Sequence, residues 1–284
     1  MNNKAISILL ATFNSELFLE EQLNSIINQK YSNWILYIRD DDSTDNTKEI
    51  IKNYEVTYKN IVHLKDNVKK RGATMSFLWL LKKVESDYYM FCDHDDVWLP
   101  NKIQLTLNKM LESDIDENKI PIIVHTDLVV VDKNLKLISD SFWKYSNLDI
   151  LDVSYNNLAY ANCITGCTMM INNTAKKLIN FEENIDFPHD SWIGLLVSYN
   201  NGIILSMDIP TILYRQHENN LIGVNKKKSI LTRIEDNRKR LLILNKINKF
   251  SIFQYILLNI EKSNSKKIKI LRNIFLMEIY INKK

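Results

Sequence analysis

Along the first hundred residues the apolar positions fall into short blocks that alternate between two spacings. Ala5 to Leu10 is a near-continuous apolar run that stops at Thr12-Phe13-Asn14. Leu17, Leu19, Leu23, Ile26 and Ile27 then recur at helical spacing, with Glu20, Glu21 and Asn24 between them. The pattern repeats. Trp34 to Ile38 reads as a strand ending at Arg39-Asp40-Asp41-Asp42, and Ser43-Thr44-Asp45 reads as the N-cap of a helix carrying Ile50 and Ile51. A short strand, Ile61 to Leu64, leads through the basic loop Lys69-Lys70-Arg71-Gly72 into a helix predicted from Thr74 to Val84. A fourth strand, Tyr88 to Cys92, runs into Asp93-His94-Asp95-Asp96. Strand–helix alternation of this kind predicts parallel strands with crossover helices.

Past residue 100 the alternation breaks. Ile122 to His125 and Leu128 to Val131 read as two strands, Ile164 to Ile171 as another, and Thr174 to Ile179 as a short helix. Phe187-Pro188-His189-Asp190-Ser191-Trp192 opens a helix, and Ile203 to Leu205 is the last predicted strand, which places Leu213 to Asn220 in a following loop.

Open α/β sheets bind ligands beyond the carboxyl ends of their strands. Three of the first four strands end in polar or acidic groups, so those groups converge if the strands are neighbours. Packing Asp93, Asp95 and Asp96 together is costly without a compensating cation or donors. Hard cations such as Mg2+ or Mn2+ take oxygen ligands and are shared between carboxylates and substrate phosphates. The competing interpretation is a solvated acidic loop before the helix that follows Pro100.

Composition adds three constraints. The chain of 284 residues is 45% hydrophobic and 25% charged, ordinary values for a globular protein. Cys92, Cys163 and Cys167 lack the partners of a zinc site and read as reduced thiols of a cytosolic protein. The amino terminus shows no secretory leader, and no run of apolar residues is long enough to span a membrane as a helix. Charge is uneven: the net +3 divides into +12 over residues 225–284 and −9 over residues 1–224. The two apolar-plus-basic segments of the tail, around Phe250 to Ile260 and Ile268 to Ile279, suit an anionic membrane surface; the alternative is packing on the domain or on a second copy in a homodimer.

ATFN (11–14), IRDDDSTDNT (38–47), FCDHDDVWLPNK (91–102), ITGCTMMIN (164–172), FPHDSW (187–192) and LYRQHENN (213–220) together resemble the family-2 glycosyltransferases of GT-A fold, among them bacterial rhamnosyltransferase-type enzymes of surface polysaccharide synthesis. The resemblance covers about residues 4–224. It implies a GT-A domain over 1–224, a mostly parallel sheet flanked by helices, with 225–284 as a basic helical extension. It further implies a nucleotide-sugar donor (dTDP-L-rhamnose first, otherwise a UDP-hexose), a Mn2+ or Mg2+ ion, inversion at the anomeric carbon, and a saccharide or polyprenyl-linked acceptor. A cytoplasmic enzyme, peripheral on the inner membrane face, follows from such an acceptor.

Carried over by residue, the resemblance implies that Thr12, Phe13 and Asn14 border the nucleoside and that Asp41 meets the pyrimidine ring. Asp95 would coordinate the metal, Asp93 the ribose or metal, and Asp96 would support them. Asp190 would be the general base, Arg215 the phosphate partner, and His217 a further donor or metal ligand. Asp42 stands where the family usually has Gly. His189 either shares the base's role or is a neutral structural group; Gly166 either allows close substrate approach or forms a plain turn. Trp98 and Trp192 are expected to pack beneath the site. A nucleotidyltransferase is the enzyme alternative, but Ala11 to Ser15 lacks its Gly-rich basic loop. A nucleic-acid binder acting through the tail is disfavoured by the acidic body.

Overall fold

A computed structural model describes residues 4–112, 115–181, 185–218 and 230–248. Strands β1 (Ile6–Thr12), β2 (Trp34–Asp40), β3 (Ile61–His63) and β4 (Tyr88–Cys92) are parallel and lie in the order β3-β2-β1-β4. Helices α1 (Leu19–Ile27), α2 (Thr47–Thr57) and α3 (Ala73–Lys83) connect them. Every residue of β1 and β4 is buried, as expected for strands covered on both faces. The alternation that predicts this half is therefore borne out, apart from one cap. Helix α2 begins two residues later than Asp45, whose carboxylate accepts from Thr47 N at 3.1 Å.

The second half completes the sheet. It comprises β5 (Val97–Trp98), α4 (Lys102–Leu111), β6 (Ile122–Asp132), β7 (Leu137–Ser139), α5 (Phe142–Tyr145), α6 (Tyr155–Tyr160), β8 (Met170–Asn172), α7 (Asn173–Lys176), α8 (His189–Tyr199), β9 (Ile203–Gln216) and α9 (Ile230–Asn248). The full order is β3-β2-β1-β4-β8-β6-β9-β5, with β7 paired to β6. Strand β8 runs antiparallel to both β4 and β6, while β9 is parallel to β6. One apolar cluster (Leu9, Phe77, Phe91, Trp192, Ile193) fills the α3/α8 face, and a second (Ile8, Leu23, Met90, Ile103, Val124) fills the α1/α4 face.

Three expectations change here. Ile122 to Val131 is one strand rather than two. Residues 164–171 are mostly not a strand: Gly166–Thr168 is a 3-10 turn, and only Met170–Asn172 pairs. Local bonds take those backbone groups, with Met169 N donating to Gly166 O (3.0 Å) and Thr168 Oγ1 to Thr165 O (2.7 Å). Finally, the last strand continues to Gln216, so Arg215 belongs to β9 and not to a loop. The β6–β9 register slips around Asp127, which lets Pro210, with no N–H to give, pass through the ladder.

Candidate active site

The strand order puts a switch point at β1, with β2 on one side and β4 on the other. Thr12 is in register with Asp40, and Leu10 with Cys92, so the polar ends of three strands are neighbours. Thr12 Oγ1 donates to Asp40 Oδ1 at 3.1 Å. Asn14, in the left-handed region at φ 47°, accepts from Thr44 N through Oδ1 (2.9 Å) and ties the first loop to the second. Phe13 stands 46% exposed at the lip, free to meet a ligand. Asp42 has φ 69°, the conformation for which the family's glycine is suited, and its carboxylate is neutralised by Lys48 (3.5 Å) and Lys69 (3.3 Å).

Asp41 is held by three donors. Arg39 Nη1 (2.7 Å), Arg71 N (2.8 Å) and Gly72 N (2.8 Å) all point at its carboxylate. Burial alone raises such a group, but these donors outweigh it and hold Asp41 below the usual carboxylate range. Gly72 precedes α3, so the helix N-terminus also favours the charge. Arg39 in turn is buried between Asp41, Ser76 and Asp66. This cradle of Arg39, Asp66, Arg71 and Ser76 went unseen in the sequence; the charged Arg39 inside a strand of buried positions was its one signal.

At the end of β4 the balance reverses. Asp93 is raised to about 7 by burial and by the carboxylates of Asp95 and Asp190. Asp96 is fully buried and pushed far up by burial and by Asp95 and Asp93; Arg215 N donates to its Oδ1 (3.2 Å), and its Oδ2 has no hydrogen-bond partner among the described residues. Asp95 is the exception. Burial raises it, yet His217 Nε2, 2.9 Å from Oδ2, and the neighbouring imidazole of His94 bring it below the normal range. Asp93, Asp96 and Cys167 place one ligand atom each within 4.8 Å of one another. Cys167 does not suit a hard cation, because burial keeps its thiol protonated. Asp95 and His217 form a carboxylate–imidazole pair, oxygen and nitrogen donors of the kind a divalent cation takes, and the acid Asp93 lies two residues away in sequence.

Arg215 is placed differently from the expectation. Its side chain is 2% exposed, with Nε donating to Asp95 O (2.8 Å), Nη1 to Lys133 O (2.7 Å) and Nη2 to Glu21. The guanidinium also lies 4.5 Å from the Phe18 ring centre, and Phe18 lies 4.9 Å from the His217 ring. Arg215 therefore braces the Asp95 backbone from below the crevice. Glu21, its partner, carried no distinguishing signal in the sequence.

Asp190 opens α8 and is nearly buried, its Oδ2 accepting from Gly166 N at 3.0 Å. His189, the residue before it, packs 5.0 Å from Phe91 of β4, so the start of α8 lies beside the strand that ends at Asp93. Gly166 has a steric reason: a Cβ there would lie 2.6 Å from His189 Nε2. His189 packs between Phe77 (4.4 Å) and Phe91 (5.0 Å), and burial lowers its pKa, so it is a neutral ring wedged behind Asp190. Trp98 and Trp192 are buried, as expected. Beneath the site lies one more unforeseen group, Lys102, fully buried 4.7 Å from the Trp98 ring and lowered to about 8 by burial.

Residues 7–178 match the sequence pattern of Glycosyl transferase family 2. The chain is 30% identical to dTDP-rhamnosyl transferase RfbG of Shigella flexneri over 231 residues, covering 76% of this chain and 74% of that one. It is 24% identical to the UDP-Glc:alpha-D-GlcNAc-diphosphoundecaprenol beta-1,3-glucosyltransferase WfgD of Escherichia coli, covering 72% and 74%. Its fold resembles S. aureus TarS, solved in complex with UDP, at TM-score 0.61 and 19% identity, covering 90% of this chain and 70% of that one. A parallel sheet switching direction at β1, acidic groups converging on its carboxyl edge and a match through residues 7–178 lead to one conclusion: the chain belongs to glycosyl transferase family 2, with the GT-A fold.

Proposed function

We propose that the protein is an inverting, metal-dependent glycosyltransferase that moves a sugar from a nucleoside-diphosphate sugar to a hydroxyl of a saccharide or lipid-linked saccharide. The observation carrying this reading is the approach of two segments far apart in sequence: His189, the residue before Asp190, packs 5.0 Å from Phe91 of β4, two residues before Asp93. Thr12, Phe13, Asn14 and Asp41 border the nucleoside. Asp95, His217 and Asp93 would hold Mn2+ or Mg2+, and when bound the ion supplies positive charge to the diphosphate. Arg215 acts on that group through the Asp95 backbone. The acceptor oxygen forms a bond to the anomeric carbon as the bond to the diphosphate breaks. The bonding pair leaves with the diphosphate, and the hydroxyl proton passes to Asp190. Gly166 N–H fixes one oxygen of that carboxylate and Ser191 N–H the other, so both backbone donors set its orientation.

The resemblance to RfbG favours dTDP-L-rhamnose over UDP-hexoses as donor, and the diphosphoundecaprenol in the name of WfgD favours a lipid-linked acceptor. The +12 segment 225–284 suits peripheral binding to an anionic inner leaflet. Its two amphipathic segments lie outside the described residues. No helix among the described residues is long and apolar enough to cross a membrane. The test is nucleoside-diphosphate release from a panel of dTDP-rhamnose, UDP-glucose, UDP-N-acetylglucosamine and GDP-mannose. Release should be fastest from dTDP-rhamnose, vanish with EDTA and return with Mn2+. Equal rates in EDTA would reject metal dependence, and release from GDP-mannose alone would reject the donor class.

A further inference from the structure

Helix α9 starts within the charged tail, yet it is built into the core behind Asp190. Ile243 and Leu244 are buried in the same apolar cluster as Leu158, Trp192 and Ile193. Arg240 Nη1 donates to the carbonyls of Leu158 (3.0 Å) and Ala159 (3.2 Å) in the last turn of α6, where a cation also suits the helix dipole. The same guanidinium lies 5.5 Å from the ring centre of Phe187. Phe187 begins the strap Phe187-Pro188-His189-Asp190. Its carbonyl accepts from Thr74 Oγ1 of α3 at 3.1 Å, and Pro188 O receives Trp192 N at 3.0 Å to start α8. The strap is therefore gripped from two sides, by α3 through Thr74 and by α9 through Arg240. Lys239 adds an ion pair to Asp186 at 2.9 Å, but Asp186 is 83% exposed, so the pair contributes little.

We infer that Arg240 is a positioning residue for sugar transfer: it clamps Phe187 against the end of α6 and so fixes the Asp190 carboxylate. The inference rests on Asp190 being the general base. Displacement by about 1 Å from a distant substitution is enough to cost up to roughly a hundredfold in rate. Arg240 touches no reacting atom, so its loss should lower kcat and leave donor binding intact.

The experiment uses the full chain with Arg240→Met, Arg240→Lys, Asp190→Asn and, as control, Leu242→Ala on the exposed side of α9. Transfer kcat and donor KM are measured beside thermal stabilisation by dTDP plus Mn2+. Arg240→Met should lower kcat by about tenfold or more with donor KM within about twofold of wild type. Arg240→Lys, which keeps the charge over Phe187, should recover part of the loss, and Leu242→Ala should match wild type. Wild-type kcat in Arg240→Met, alongside a crippled Asp190→Asn, overturns the clamp alone. Wild-type transfer by Asp190→Asn overturns the base assignment and the clamp with it. A kcat loss accompanied by loss of nucleotide-induced stabilisation makes Arg240 a folding residue and also rejects the proposal.

Discussion

The carboxylates at the ends of β2 and β4 are built in opposite ways. Asp41 is saturated: a guanidinium and two backbone amides meet it, and its pKa falls. Asp93 and Asp96 are crowded by like charges and burial, and theirs rise. The first arrangement is complete within the protein and ties down the loop proposed to face the nucleoside. The second leaves like charges crowded together, with Asp96 Oδ2 unpartnered among the described residues, and the proposed cation would complete it. Stability and chemistry are thus separated along one sheet edge, and substitutions on the two sides should differ in kind.

The largest effect belongs to the incomplete side. Asp190→Asn keeps an acceptor for Gly166 N–H but removes the proton-accepting charge. Transfer kcat should fall by about 10²–10⁴-fold while stabilisation by dTDP plus Mn2+ persists. A loss below about threefold in kinetic assays would break the division, since the carboxylate would then be structural like Asp41. Asp41→Ala should behave the other way. It strips Arg39 of its closest anion and leaves two backbone amides unmet, although Asp66 and Ser76 remain. Unfolding in urea should show a loss of about 3 kcal/mol, with donor binding weakened in parallel. Unchanged stability would show that the saturated carboxylate is dispensable.

Gly166→Ala sharpens the boundary between the two kinds. The added methyl would collide with His189 Nε2, and His189 is hemmed in by Phe77 and Phe91. Overpacking of this kind costs about 1–3 kcal/mol. Because His189 precedes Asp190, kcat should drop by roughly tenfold beyond what instability explains. Full activity at a reduced melting temperature would show that the strap tolerates movement.

How much of this was legible before folding follows the same division. The parallel half could be read because each strand is a local apolar block and each crossover helix has its own period. Asp41, Asp93 and Asp95 could be placed because they terminate those blocks. What escaped depends on contacts distant in sequence. Gly166–Thr168 looked like strand from its apolar content, but Thr165 and Thr168 divert the backbone into a local turn. Arg215 looked like a loop donor for phosphate, yet β9 extends through it and buries its guanidinium under Asp95. Arg240 sat in a basic run with nothing to distinguish it from its neighbours. Only its contacts to α6 and Phe187 do so.

The smallest expected effect tests whether acid sensitivity comes from the carboxylate edge at all. Asp41, held below its ordinary range, contributes stability that is present above about pH 4 and lost only as pH falls further. His125 on β6 has the opposite chemistry. It is buried beside Trp143 with Nε2 2.8 Å from Ser206 Oγ, and burial lowers its pKa to about 4. Between about pH 6.5 and 4 the unfolded chain takes up a proton that the folded protein refuses, so stability declines as pH drops through that window. The loss should reach about 1–2 kcal/mol by pH 5. His125→Gln, which retains a polar group toward Ser206, should flatten the urea midpoint against pH across that window relative to wild type. His63 and His189, also lowered by burial, remain in both proteins, so the difference reports His125. Parallel wild-type and variant curves would move the mid-range acid response away from β6 to the other lowered imidazoles, His63 and His189, since Asp93 and Asp96, with raised pKa values, favour the folded state as pH falls.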